Sequence, residues 1–198
     1  MKRYDGRYFA KWYRDRRHAI GSAADLERQV SFAVAAAEQV IGRAVASVLD
    51  LGAGEGRWQP VLHRLRPRAR YAGVDSSEWA VNRWGARRNL RLGTIGELDA
   101  VGVDGPYDLV VAADVLHYLP AAALRRGLAE IEARAGGVAY LPLFTSEDNI
   151  DGDREGFQRR NAAAYRRLFH AAGLTALGMH LWLPRSRREE LSALEGAW

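Results

Sequence analysis

The most informative stretch of this chain is Val48–Gly56, which has the sequence VLDLGAGEG. The apolar residues Val45–Leu49 predict a short buried strand, which is followed by the acid Asp50 and then by glycine at every second position. Glycines let the backbone turn sharply and let a ligand approach it closely. A strand, such a turn and a helix in this order indicate the ligand-binding edge of an open α/β sheet. The dinucleotide-binding pattern, however, requires a third glycine where this chain has Arg57.

Two later segments carry further motifs. The second strand, from Tyr71, ends at the acid Asp75. In the other segment, the acid Asp108 precedes the apolar fourth strand, Leu109–Ala113, which runs into Asp114 and is followed by Leu116 and His117. A glycine-rich turn alone is a weak signal, since ordinary strand-to-helix connections also use glycine. Three such motifs in this order, however, resemble the class I S-adenosylmethionine-dependent methyltransferases. The resemblance extends over roughly Val45–Leu183, which is most of the chain.

The resemblance implies an α/β fold with a Rossmann-like, doubly wound, mostly parallel sheet, helices on both faces and an N-terminal helical lid. A length of 198 residues suits one domain with a full core. We expect a single methyltransferase domain over residues 1–198, with a helical segment at 1–43, a Rossmann-like core at 44–184 and a C-terminal helix or tail at 185–198. The aromatic-rich segment Tyr4–His18 suits either a helix packed on the sheet or a lid over the cofactor.

Periodicity, caps and turn residues predict the other elements. The predicted helices are Ala23–Ile41 with Ser22 as N-cap and Gly42 as stop, Trp58–Leu65, Glu78–Arg88, Phe157–Ala172 and Glu189–Leu194. The further strands are Leu90–Leu92, a fifth strand of Val138–Leu141 after two glycines, and Leu174–Leu183, which Gly178 divides into a hairpin. Little sequence is left for a long seventh strand.

The resemblance further implies S-adenosylmethionine as the cofactor. A carboxylate at the tip of the second strand can accept both hydroxyls of a ribose, so this role falls to Asp75. The family usually has an acid for the adenine amino group where this chain has Thr94, so the Thr94 hydroxyl, the Ile95 backbone amide and Glu97 are alternatives for that contact. The full set of implied cofactor-binding residues is Asp50, Gly52, Ala53, Gly54, Asp75, Ser76, Thr94, Ile95, Ala113 and Asp114.

Methyl transfer is an in-line displacement that needs orientation and exclusion of water, and an acceptor with an exchangeable proton gains from a general base. His117 is the candidate catalytic residue, because it lies three positions beyond Asp114. An imidazole has an ordinary pKa of about 6.5, which suits a general base. The alternative is that His117 only packs near the cofactor. Asp148 and Asn149 could join Asp114 as oxygen ligands of Mg²⁺, but they lie well past the strand tip, so we expect no metal.

The expected acceptor is a small molecule, and the polar loop Thr145–Gly156 is either the wall of its pocket or a mobile surface loop. The alternatives are an RNA or protein methyltransferase, and a regulatory protein that binds S-adenosylmethionine without turnover. Only turnover separates the last from an enzyme. The sequence leaves the oligomeric state open.

A net charge of +5 would suit a nucleic-acid partner. Arginine supplies nearly all of the basic charge, and its pairs are spread over predicted helices opposite apolar residues, which is typical of solvated faces. Nucleic acid is therefore not the expected partner. The chain has no cysteine, no apolar run near ~20 residues and no apolar segment of a secretory signal, so a cytoplasmic location away from membranes is expected.

Overall fold

The computed structural model of the chain describes residues 3–15, 17–18, 20–150 and 152–192. Seven strands lie within these residues: β1 (Ser47–Leu51), β2 (Arg70–Asp75), β3 (Leu90–Leu92), β4 (Tyr107–Val111), β5 (Ala135–Tyr140), β6 (Thr175–Gly178) and β7 (Leu181–Leu183). The α-helices are α1 (Gly6–Tyr13), α2 (Ala23–Ile41), α3 (Trp58–Leu65), α4 (Glu78–Arg88), α5 (Ala121–Arg134) and α6 (Ala162–Ala171). Short 3₁₀-helices occupy Leu98–Val101, Leu116–Tyr118 and Arg185–Glu190. None of the helices in the described ranges has the length and apolar character needed to cross a bilayer.

The strands form one sheet in the order β3-β2-β1-β4-β5-β7-β6. Strands β1 to β5 pair in parallel, whereas β7 runs antiparallel to both β5 and β6. The strand order reverses between β1 and its neighbours β2 and β4, and open α/β sheets bind ligands beyond the carboxyl ends of strands at such a point. The predicted doubly wound, mostly parallel fold is confirmed.

Apolar residues alternate along β1 and so build a core on each face of the sheet. Val48 packs into the cluster that contains α2 and α3, and Leu49 packs into the opposite cluster with α5 and α6. Successive side chains of a strand point to opposite faces, so a strand with apolar residues at both positions must be covered on both sides. Helices therefore cover both faces of the sheet.

Local signals placed several elements correctly. Helix α2 begins after Ser22, whose Oγ accepts a 3.1 Å hydrogen bond from the Asp25 N–H, while the Ser22 N–H donates to Asp25 Oδ2 at 2.7 Å. It ends at Gly42, which adopts a left-handed φ of 68°. The predicted bounds of α2, α3, α4 and β3 are confirmed, and so is the hairpin around Gly178, which forms β6 and β7.

The predicted first and last residues of three strands are wrong. β1 begins at Ser47 instead of Val45 and contains Asp50, because the Tyr71 hydroxyl satisfies that buried carboxylate inside the sheet. β4 is likewise displaced by two residues from the predicted Leu109–Ala113. β5 begins at Ala135, ahead of the glycines that were expected to precede it. A Cβ at Gly137 would lie 2.2 Å from the Asp108 carbonyl oxygen, so glycine permits the close strand pairing there.

The last two predicted helices also differ. Helix α6 begins at Ala162 instead of Phe157, because Asn161 Oδ1 caps it by accepting the Ala164 N–H at 2.8 Å. The prediction of a helix at Glu189–Leu194 is wrong over its described part, since the turn there is the 3₁₀-helix Arg185–Glu190, and residues 193–194 lie outside the described residues. Arg187 Nε holds this segment on the sheet by donating to the Gly136 carbonyl oxygen at 2.7 Å.

Candidate active site

A cavity of about 460 Å³ opens beyond the carboxyl ends of β1 to β4. Each sequence-predicted site residue contributes to its lining: Asp50, Gly52, Ala53, Gly54, Asp75, Ser76, Thr94, Ile95, Ala113, Asp114 and His117. Its volume falls in the range of about 300–1,000 Å³ that small-molecule sites occupy. The fold thus brings together residues that are up to 67 positions apart in the chain.

The glycine turn is closely packed on both sides. Gly52 and Gly54 have left-handed φ values of 68° and 56°. A Cβ on Gly52 would lie 2.6 Å from Val115 Cγ2, and one on Gly54 would lie 2.7 Å from Tyr13 Oη. The Gly52 N–H donates to the Val74 carbonyl oxygen at 2.8 Å. Both the conformation and the space at this turn therefore require glycine.

Asp75 braces the same turn from the end of β2. Its Oδ2 accepts the Gly54 N–H at 2.7 Å, and its Oδ1 accepts the Ser77 N–H at 2.8 Å. Burial raises the pKa of this carboxyl, and the two backbone hydrogen bonds partly oppose that shift. The carboxylate is thereby fixed in orientation, and its remaining lone pairs can accept ligand hydroxyls in the cavity.

Asp50 forms part of the floor of the cavity and is only 2% exposed. Burial raises its pKa to about 7; the hydrogen bond from the Tyr71 hydroxyl opposes that shift, and the nearby charge of Asp75 adds to it. A carboxyl with this pKa is close to half-protonated at neutral pH. A cation placed beside it would favour the ionised form.

Asp114 follows β4, on the side of β1 away from β2. It adopts a left-handed φ of 56°, and its N–H donates to the Pro142 carbonyl oxygen at 2.9 Å. Burial raises the pKa of its carboxyl to about 6. Within the described residues, no hydrogen bond or ion pair involves this carboxylate. Asp114 is therefore a carboxylate available to a ligand.

His117 lies in the second 3₁₀-helix and is only 1% exposed, although it contributes to the cavity wall. Its Nδ1 accepts the Phe144 N–H at 3.3 Å, and its carbonyl oxygen accepts the Gln158 N–H at 2.9 Å. The ring centroids of Phe144 and Phe157 both lie 5.6 Å from that of the imidazole. His117 thus connects the loop after β5 to the end of β4.

The contact with Phe144 also determines the neutral tautomer of His117. An Nδ1 that accepts a hydrogen bond carries no proton, so the proton of the neutral ring lies on Nε2. In this arrangement, Nε2 is a donor. A base role for His117 requires the ring to give up the Phe144 contact, and that role stays a prediction.

Helix α1 covers the glycine turn. The Phe9 ring stacks on Trp79 with centroids 5.2 Å apart, and the Ser77 Oγ donates to the Tyr4 carbonyl oxygen at 2.5 Å. Arg14 forms an ion pair with Glu55 in the turn itself. The segment 4–13 therefore lies over the cavity in the position expected of the N-terminal helical lid, with its aromatic side chains in the lining.

Sequence reasoning missed several lining residues. Arg57 is the only arginine or lysine among the described residues that line the cavity, and its guanidinium carbon lies 5.1 Å from the Tyr13 ring centroid. Asp153, in the loop after β5, also lines the cavity and is 8% exposed. The acidic composition of that loop was the available signal for Asp153. For Arg57 the only signal was its position directly after the glycine turn.

The adenine-side alternatives are distinguished in part. Thr94 and Ile95 line the cavity, whereas Glu97 is not among its lining residues. The Thr94 hydroxyl donates to Glu97 Oε2 at 2.6 Å, so Glu97 orients Thr94. Asp148 accepts hydrogen bonds from the Thr145 N–H and hydroxyl at 2.7 and 2.8 Å. In the ranges that the structure describes, no group of three or more His, Cys, Asp or Glu is arranged to hold a metal.

Comparisons with known proteins agree with this geometry. Residues 48–135 match a family model described as a methyltransferase domain. The fold is similar to that of 1,6-didemethyltoxoflavin-N1-methyltransferase from Burkholderia thailandensis, with 26% identity and a TM-score of 0.53 over 77% of this chain and 70% of that one. Streptomyces venezuelae DesVI is similar with 16% identity and a TM-score of 0.65, over 82% of this chain and 93% of that one.

A protein from Nostoc punctiforme, provisionally classed as an O-methyltransferase, is 21% identical with a TM-score of 0.53 over 75% of this chain. This chain spans about half of its length, 51%. Among curated protein sequences, none matches the chain significantly. The matched domain contains the glycine turn and the acids Asp50, Asp75 and Asp114, so residues 48–135 are a methyltransferase domain, and the Burkholderia thailandensis structure, which holds S-adenosylhomocysteine, supports S-adenosylmethionine as its cofactor.

Proposed function

We propose that the chain transfers a methyl group from S-adenosylmethionine to a small molecule that is bound inside the cavity. One observation carries this proposal: a single cavity joins the predicted cofactor residues to a wall of aromatic side chains. That wall consists of Tyr4, Tyr8, Trp12, Tyr118 and Phe144. Aromatic side chains with a few polar groups among them are typical of sites for small organic molecules.

The residues present fit the cofactor. Asp75 is oriented by two backbone N–H groups and suits the ribose hydroxyls. Asp50 suits the ammonium of the methionine part, because a cation beside a buried carboxylate offsets its desolvation. Among the described lining residues, Arg57 is the cation available for the methionine carboxylate. When bound, S-adenosylmethionine supplies a methyl group activated by a positive sulfur.

The chain itself contributes orientation and exclusion of water. Helix α1, the segment after it and the loop after β5 all line the cavity, and the last two approach each other closely, since Ile20 Cδ1 would lie 2.3 Å from a Cβ on Gly152. Holding donor and acceptor in line can lower the barrier by about 7–11 kcal/mol. Loss of the positive charge during transfer favours an apolar, enclosed site over water. His117 remains the predicted base for an acceptor that must lose a proton.

Two observations support a small acceptor over RNA or protein. Helix α1 lies over one side of the cavity, and the described lining contains a single arginine and no lysine, whereas a groove that follows nucleic-acid phosphates needs several cations. The Burkholderia thailandensis relative carries the name of a small heterocyclic acceptor. The third alternative is a protein that binds the cofactor without turnover, and only an activity assay distinguishes it from an enzyme.

The test uses S-adenosylmethionine labelled in the methyl group. The protein is incubated with a small-molecule extract, an RNA fraction and a protein fraction, and an Asp75→Ala variant serves as the control. We expect label in the small-molecule fraction that depends on Asp75. Label confined to RNA or protein would contradict the proposed acceptor class, and S-adenosylhomocysteine binding without any label transfer would favour the regulatory alternative.

A further inference from the structure

We propose that the acceptor is a small amine, which enters the cavity as its ammonium ion and is held by the Asp114 carboxylate among the aromatic side chains. This inference rests on the proposed function, because it names the acceptor class of the same cavity. Three independent features of the structure support it. They are the sign of the charge in the cavity, the position of the Asp114 carboxylate without a hydrogen-bond partner among the described residues, and the aromatic composition of the cavity wall.

The charge of the cavity is opposite to that of the chain. The chain carries a net charge of +5, yet among the described residues five aspartates line the cavity against one arginine. These aspartates are Asp25, Asp50, Asp75, Asp114 and Asp153. Clefts lined by one sign of charge concentrate ligands of the opposite sign. A carboxylate or phosphate acceptor would be repelled here, and an ammonium would be attracted.

The family resemblance placed Asp114 among the cofactor-binding residues, but of the five lining aspartates it is the one best placed for the acceptor, and we assign it to the acceptor. It follows β4, whereas the turn and Asp75, which fit the cofactor, belong to β1 and β2 on the other side of the switch point. Its left-handed φ of 56° is uncommon for a residue other than glycine, and such backbone conformations are concentrated at functional sites.

The Asp114 carboxylate also has no hydrogen-bond or ion-pair partner within the described part of the chain. A desolvated carboxylate that lacks a partner is destabilised, and a bound cation removes that cost. An ammonium donor at this position would satisfy the carboxylate and bring the acceptor nitrogen to the end of β4.

The neighbouring wall suits the rest of an ammonium ligand. Asp153 adds a second negative charge, and the Tyr118 hydroxyl holds the loop there by donating to the Asp153 carbonyl oxygen at 2.6 Å. Tyr4, Tyr8 and Trp12 present rings from α1 and the residues before it. Aromatic faces attract an organic cation and also bury its apolar body.

The reaction balances with the groups present. For this acceptor Asp114 takes the proton in place of His117, whose Nδ1 accepts the Phe144 N–H. The ammonium passes one proton to the Asp114 carboxylate, which leaves a neutral amine with a lone pair on nitrogen. That lone pair forms the new N–C bond to the methyl carbon while the C–S bond breaks and its electron pair stays on sulfur. The positive charge moves from sulfur to the methylated nitrogen, and the Asp114 proton later leaves to water.

The experiment compares ligands that share an apolar body and carry a positive, a neutral or a negative polar group. The protein is first saturated with S-adenosylhomocysteine and then titrated calorimetrically at pH 7.5 with phenethylamine, 2-phenylethanol and phenylacetate. A second series uses cyclohexylamine, cyclohexanol and cyclohexanecarboxylate. We expect each amine to bind at least about tenfold more tightly than its alcohol, and the acids not to bind. The value follows from a charge-assisted hydrogen bond of about 1.5–3 kcal/mol.

Two variants assign the preference to Asp114. In Asp114→Asn, the amine should lose most of that advantage, while S-adenosylhomocysteine affinity stays within a few-fold. Asp104→Asn, which changes an exposed aspartate outside the cavity lining, should keep the preference. Equal affinities within both series, tighter binding of the acids, no amine binding, or an unchanged preference in Asp114→Asn would overturn the proposal. Failure of S-adenosylhomocysteine itself to bind would instead contradict the proposed function.

Discussion

The Tyr71 hydroxyl donates a 2.6 Å hydrogen bond to Asp50 Oδ2 across the β1–β2 pair. In the parallel register, Tyr71 is paired with Val48, and Asp50 with Gly73, so the tyrosine reaches forward over the glycine to the carboxylate. Both residues are buried. Burial raises the Asp50 pKa to about 7, and the hydrogen bond from Tyr71 keeps it from rising further. The tyrosine therefore helps to set the charge on the cavity floor.

Replacing Tyr71 by Phe should destabilise the fold more at high pH than at low pH. At pH 8.5 the change leaves an ionised, buried carboxylate without its donor, which costs about 1–3 kcal/mol of unfolding free energy. At pH 5.5 Asp50 is mostly protonated, so the loss should be smaller. Chemical denaturation at both pH values measures this. Tyr140→Phe is the control, because within the described residues the Tyr140 hydroxyl has no hydrogen bond. Equal losses at the two pH values would contradict this account of Asp50.

Cofactor binding should release protons near pH 6. Asp50 and Asp114 have pKa values of about 7 and about 6 in the folded protein, against an ordinary value of 3.8. Because these values are raised, the folded chain binds more protons than the unfolded chain from about pH 4 to 7, and this contribution to stability is lost as pH rises through that window. A cationic ligand should lower the pKa of Asp50 and expel its proton.

Calorimetric titration of S-adenosylhomocysteine, whose ammonium is cationic, measures that release in two buffers with different ionisation enthalpies. We expect a net release at pH 6 that disappears at pH 9 and is largely abolished in Asp50→Asn. Proton uptake at pH 6, or a release that Asp50→Asn leaves unchanged, would show that the cation does not lie beside Asp50.

Gly52→Ala should impair the protein far more than Gly42→Ala. Both glycines have a φ of 68°, so each substitution incurs a similar backbone strain of about 1 kcal/mol. A Cβ at Gly42 meets nothing within 4 Å, whereas a Cβ at Gly52 would lie 2.6 Å from Val115 Cγ2 and displace the residues after β4. Denaturation and S-adenosylhomocysteine titration of both variants measure the difference. Equal stability and equal affinity in the two variants would mean that Val115 can move away from the new Cβ without loss of stability.

The sequence predicted the strand-end geometry because motifs there are local. The glycine turn, Asp75 and Asp114 each follow an apolar run, and parallel strands bring such positions to one edge of a sheet. For cavity-lining residues in distant segments, the sequence indicated only the segment, as one of two alternatives, and not which side chains face the cavity. Tyr13 lies over Gly54 only because α1 returns across the turn, and Asp153 faces the cavity only because the loop after β5 is held by His117 and Tyr118.

The first and last residues of the strands were predicted less well for a physical reason. A buried polar residue inside a strand resembles a strand end unless its partner is known, and the partner of Asp50 lies 21 positions away at Tyr71. In the same way, Gly136 and Gly137 resemble a turn, but they permit the close approach of β5 to β4. Both signals depend on contacts between strands, which local sequence patterns do not contain.

The most direct test of the central claim is the affinity of S-adenosylhomocysteine for Asp75→Ala, measured by calorimetry beside the unchanged protein and the exposed control Asp104→Ala. The carboxylate at the end of β2 should account for about 1.5–3 kcal/mol of cofactor binding, which is roughly a 10- to 150-fold loss in affinity. The control should bind as the unchanged protein does, and NAD should bind poorly to all three. Unchanged affinity in a folded Asp75→Ala variant would contradict the cofactor site described here.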